Sequence, residues 1–171
     1  MKLNDDITIN NRTYYKGDEF PWYKFYPLFS LYLLFFSGTG FYMAYFATGV
    51  PLFFLYSHGG IAVVIYTYIY SAIFGRDEVK WMFINAGLGL LGMYTQIGWL
   101  LSIFGKRVGD YPIYVHAIPF LYFMLYTFLL RQAVLDLMSA RDDLKRRKIV
   151  EFVYVVISVA VYGWSYLIGK F

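Results

Sequence analysis

Five long apolar stretches parted by short polar joints decide most of what this chain can fold into. They are Tyr26 to Ala47, a run within Pro51 to Phe74, Trp81 to Phe104, Pro112 to about Leu130, and Ile149 to Ile168. An α-helix needs about 20 apolar residues to cross a hydrocarbon layer of roughly 30 Å. None of the five alternates apolar with polar residues as a barrel strand does, and a helix satisfies its own backbone hydrogen bonds in lipid. The expected fold class is therefore an all-α integral membrane protein, a five-transmembrane-helix bundle. Only 15% of the 171 residues are charged, against about a quarter in a soluble domain. The expected domains are a cytoplasmic N-terminal segment, residues 1–25, and a single five-helix membrane domain, residues 26–171.

Lysine and arginine placed in alternate joints set the expected threading. Lys2, Arg12, Lys16, Lys24, Arg76, Lys80, Arg141, Lys145, Arg146, Arg147 and Lys148 fall on one side, against Lys106, Arg107 and Lys170 on the other. Eleven against three predicts a cytoplasmic N-terminus, an outside C-terminus and a multi-pass protein of the cell's inner membrane. No basic segment leads into a short apolar run and cleavage site, so no removable signal peptide is expected. The positive charge sits where threading requires it, which argues against a nucleic-acid partner.

Local signals refine this outline. Pro51 and Pro112 stand where the second and fourth helices are expected to begin. Residues 7–16 set Asn10 and Asn11 between two alternating arms, the pattern of a small hairpin. Asp142 with Arg146 and Asp143 with Arg147 are spaced four apart, which predicts that the fourth helix extends into the cytoplasm over about 131–148.

The chain has no cysteine, so thiolate metal sites and cysteine nucleophiles are excluded. Gly87, Gly89 and Gly92 match a dinucleotide-binding pattern by letter but lie within an apolar span with no strand before them. Asn11-Arg12-Thr13 matches a glycosylation acceptor on the side expected to be cytoplasmic. The balance leans against an enzyme.

What remains are polar residues at membrane depth. Asn85, Gly89, Gly92, Gln96 and Trp99 share one face of the third stretch, and a packing seam against another helix is the favoured reading over a cavity lining. His58 and His116 are the only two histidines. Counting from the outer helix ends at about 1.5 Å per residue puts His58, His116 and Gln96 within roughly 6 to 12 Å of that surface. Gly59 and Gly60 leave room beside His58, and Pro119 frees the carbonyl of Val115, predicting a kink near His116. An offset of 58 also pairs Tyr56 with Tyr114, His58 with His116, Tyr68 with Tyr126 and Gly40 with Gly98, a weak two-plus-two parallel repeat.

Three functions are weighed. The first is a non-catalytic accessory, assembly or scaffolding subunit of a membrane complex, whose partners are the lipid bilayer, other membrane proteins or further copies of itself. It is favoured because no chemistry motif survives. The second is a haem b redox protein with His58 and His116 as axial ligands and Lys106 and Arg107 as propionate partners. The third binds or transports a small ligand, a quinone, lipid or metal ion, at the layer of His58, Gln96 and His116.

Overall fold

Four helical segments are long and apolar enough to cross a membrane: Trp22–Tyr45, Leu52–Phe74, Ile113–Leu137 and Leu144–Ile168. The structure is a computed structural model that describes residues 2–9, 11–19 and 21–168, with the side chains at 9, 84, 85, 87, 88 and 91 outside the described set. Among the described residues the elements are β1 (Ile7–Ile9), β2 (Arg12–Tyr14), α1 (Trp22–Tyr45), α2 (Leu52–Phe74), α3 (Arg76–Leu88), α4 (Leu90–Ile103), α5 (Ala117–Leu137) and α6 (Leu144–Ile168).

The third apolar stretch, expected as one helix, is a pair. Gly89 stays in the right-handed region (φ −80°, ψ −4°), but its N–H donates to the carbonyl of Ala86 three residues back, so the ladder tightens there and α4 starts afresh. Three glycines within six residues weaken a helix by about 1 kcal/mol each relative to alanine. Neither α3 nor α4 alone has the roughly 20 residues a crossing needs.

The fourth helix also stops earlier than the acid–base spacing predicts. α5 ends at Leu137, Ser139 takes a positive φ of 48°, and α6 begins at Leu144. Asp143 pairs with no side chain four residues on. Its carboxylate accepts from the N–H groups of Lys145 and Arg146 and caps the start of α6. The pattern read as helix interior was a helix beginning.

Pro51 flanks α2 as expected, its carbonyl accepting from Phe54 N–H at 2.9 Å. Pro112 opens a 3-10 turn, Ile113–His116, and α5 follows from Ala117. Pro119 is thus the third residue of α5, where an N–H has no intrahelical partner to lose, and the irregularity falls before the helix as a change of pitch. That change also separates the two proposed repeat segments, since His58 lies inside an α-helix and His116 in a 3-10 turn.

The hairpin pairs Ile7 with Tyr14 and Thr8 with Thr13, and Asn11 supplies the positive φ of 60° for its turn. A lone two-stranded hairpin is marginal in water. Here Leu3 and Ile7 are buried against the helices. Asn4 donates from its backbone to Ala72 at 2.9 Å and from its side chain to Ile73 at 2.8 Å, and Asp5 N–H also reaches Ala72. These bonds satisfy the last carbonyls of α2, which would otherwise lack partners.

α5 is the centre of the bundle, touching α1, α2, α3, α4 and α6. Its Ile118, Leu125, Leu129, Gln132 and Leu135 are fully buried. α6 is the opposite case: it packs on α4 and α5, yet none of its membrane-length window is buried. The expected seam of the third stretch accounts for that packing. A Cβ on Gly92 would stand 2.7 Å from the Tyr162 ring of α6, Gly89 borders the same region, and Gln96 and Trp99 line one cleft with Trp164 and Ser165 of α6. The Asn85 side chain lies outside the described set, as do Asn10 and Lys170.

Candidate functional site

The histidines occupy two separate hydrogen-bonded pairs along the α1–α5 contact. α1 and α5 run antiparallel, so Tyr45 at the end of α1 faces His116 at the start of α5, while Thr39 and Gly40 face Tyr122. From Tyr45 to Thr39, and from His116 to Tyr122, is six residues, about 9 Å along a helix.

His58 projects from α2 between these helices. Its Nε2 lies 3.1 Å from Thr39 Oγ1, and its Nδ1 lies 2.5 Å from the Tyr122 hydroxyl. Thr39 donates its proton to the carbonyls of Phe35 and Phe36, so toward His58 it accepts. The network thereby assigns the proton to Nε2 and the lone pair to Nδ1, which takes the Tyr122 O–H. Tyr122 reaches it because Gly40 has no side chain: a Cβ there would stand 2.5 Å from the ring. Gly59 has the same role for Ile118, at 2.8 Å, so what the glycine beside His58 admits is α5 itself.

His116 is held at Nδ1 by the Tyr45 hydroxyl at 2.7 Å. Lys106 donates to the carbonyl of Tyr45 at 2.7 Å and to the Tyr111 hydroxyl at 3.0 Å, with its ammonium 4.3 Å from the Phe46 ring centre. It therefore caps the end of α1, where a cation is favoured. Arg107 is exposed and its backbone N–H donates to Asp110. Gln96 is brought to α6, away from both histidines.

Of the five residues singled out by sequence, the structure ties His116 and Lys106 together through Tyr45. It sets His58 with Thr39 and Tyr122, and sends Gln96 elsewhere. Axial ligation needs a free nitrogen lone pair on each imidazole. In each of these rings a tyrosine hydroxyl occupies Nδ1, and in His58 Thr39 engages Nε2 as well.

Sequence reading missed a second polar centre at the Asp136 end. Glu78 accepts from Arg131 at 2.9 Å and Gln132 at 3.0 Å, and from Arg147. Glu151 accepts from Arg131 and from Arg147 at 3.1 Å. The four charges close a ring of alternating sign. A branch runs from Gln132 to Arg141 at 2.9 Å and on to Asp136 at 2.6 Å, and Asp136 also takes the Tyr26 hydroxyl. Arg141 lies 5.2 Å from the Phe74 ring centre. Three arginines meet three carboxylates drawn from α3, α5, α6 and the turn between α5 and α6, with α1 joined through Tyr26 and α2 touched through Phe74.

Burial pushes the Glu78 carboxyl up, but hydrogen bonds from Arg147, Arg131 and Gln132 outweigh it and hold it at about 2, below its ordinary 4.5. Arg141 is driven down by burial and more strongly up by Asp136, so it stays charged. The one legible signal for this centre was Arg131 itself, a charge directly after a long apolar run. Its partners lie 53 and 20 positions away. Among the described residues no group of three or more histidine, cysteine or acidic side chains could hold a metal ion. Compared with known proteins, the chain matches no family model, no curated sequence and no solved structure.

Proposed function

We propose that this chain is a small polytopic protein of the cell's inner membrane, crossing five times with its N-terminus cytoplasmic, and serving as a non-catalytic accessory or scaffolding subunit of a membrane complex. The observation that carries this reading is α6. It is fastened by Arg147 and Glu151 at one end and by the Gly92–Tyr162 contact further along. Yet Phe152, Val153, Val156, Ile157 and Trp164 are all exposed. A helix anchored this firmly while offering apolar side chains right round its outer surface is built to meet another membrane component. The polar centres support the same reading, because the histidines and the ion ring are spent on internal bonds. The α3–α4 pair supplies the fifth crossing, its two halves together having the required length.

A photo-crosslinking residue at Val156, on the outer face of α6, tests this in native membranes. A discrete product with a second membrane protein, or with a second copy of the chain, is expected. The reading fails if Val156 and Val153 both yield only lipid adducts, or if the purified protein shows a Soret band.

A further inference from the structure

Between α3, α5 and α6 lies a half-open groove of about 240 Å³, walled by Met82, Ala86, Phe123, Met124, Val155 and Val159. On α6 its lining runs from Glu151 to Tyr162. Those twelve positions span roughly 16 Å. A groove of that length with an apolar wall can take an extended stretch of hydrocarbon chain.

The mouth of the groove is polar and positive. Arg131 and Glu151 form its floor at the Asp136 end. Arg131 gives one N–H to Glu78 and one to Glu151, which leaves three of the guanidinium's five donors without a partner among the described residues. Helical spacing sets Arg147 and Lys148 on the two flanks of the groove face, one turn beyond Glu151. Arg147 is committed to Glu78 and Glu151. Lys148 is exposed. Nearby, Asp143 is turned away to cap α6. Along the wall Thr127 donates to the carbonyl of Phe123 and Tyr154 to that of Thr127, so these two hydroxyls ask nothing of a ligand.

We propose that the groove holds one acyl chain of an anionic phospholipid from the leaflet at the Asp136 end, with Lys148 and the unspent N–H groups of Arg131 meeting its phosphate. A half-open apolar groove that ends at a cation has the two chemistries of that molecule in the right order. The assignment stands apart from the scaffolding role, since it concerns the inner wall of α6 and not its outer face.

The test titrates the full-length protein in mild detergent with dioleoyl phosphatidylglycerol, dioleoyl phosphatidylcholine and dioleoylglycerol, read by native mass spectrometry. One phosphatidylglycerol is expected to be retained, about fivefold more tightly than phosphatidylcholine, as one lysine facing an anionic lipid predicts. Lys148→Ala should remove that preference and leave dioleoylglycerol unchanged. Val155→Trp, or Val159→Phe if the tryptophan lowers the melting temperature, should block all three. Retention of lipid by a plugged variant that melts like the parent overturns the groove assignment. Equal retention of the charged and neutral lipids by the parent overturns the headgroup contact, and no retained lipid overturns both.

Discussion

A methyl group on Gly40 would meet Tyr122 at 2.5 Å, so Gly40→Ala must move the ring that holds His58. Overpacking of this kind costs about 1–3 kcal/mol, and the expected result is a lowered melting temperature in detergent. Gly38, two residues earlier, faces open space, and Gly38→Ala should melt like the parent. Tyr122→Phe removes the donor from His58 Nδ1 and leaves a polar atom unpaired in an apolar setting, at a cost of about 1–3 kcal/mol. Both changes act on one hydrogen bond, so the double variant should lose less than the two single losses combined. The glycine beside His58 was legible as a place of close approach, but the approaching group was not. His58 and Tyr122 are 64 positions apart, and His116 and Tyr45 are 71 apart. A local pattern carries no record of such a partner.

Helices are legible in a chain like this because lipid imposes one demand over a whole crossing: the run must be predominantly apolar. That demand is read directly from Tyr26 to Ala47 or from Ile149 to Ile168. Helix interruptions obey weaker and more local terms. Gly89 ends a ladder without leaving the right-handed region, so hydropathy passes over it unchanged. Asp143 can pair with a cation one turn on or cap a new helix, and the choice rests on Ser139 and Arg141 folding back toward Asp136. The seam of the third stretch was legible, since glycine at helical spacing means close packing whichever helix arrives. It yields an element-scale prediction. Gly92→Leu should push Tyr162 aside and loosen α6 from α4, raising amide hydrogen exchange across the Tyr162 region. Gly163, whose added Cβ would meet nothing, should accept leucine without that change.

At the scale of the molecule, the ion ring ties three helices, α3, α5 and α6, at one end of the bundle. Arg131 and Glu78 are each only 16% exposed, and removing one partner of such a pair leaves the other charge uncompensated. Arg131→Leu is expected to cost about 3–5 kcal/mol, read as a large drop in melting temperature. The ring also sets an acid limit. Glu78 titrates lower in the folded chain than its ordinary 4.5, so its contribution is complete above that pH and lost as pH falls toward about 2. The melting temperature should hold steady from pH 7 to 5 and decline through the window below, with a flatter decline in Glu78→Gln. The absence of cysteine makes threading simple to measure with single introduced thiols. An impermeant maleimide should label Gly109→Cys in intact cells and Asp142→Cys only after the membrane is opened.

Two of the four charges in that ring, Arg147 and Glu151, sit on α6, which is synthesised after the helices that carry Glu78 and Arg131. Until α6 leaves the ribosome, Arg131 has Glu78 alone, and the clamp across the earlier helices stands half built. Maturation of the bundle thus waits on the synthesis of α6. A chain cut short before Leu144 would display an unfinished charge cluster that surveillance proteases can recognise.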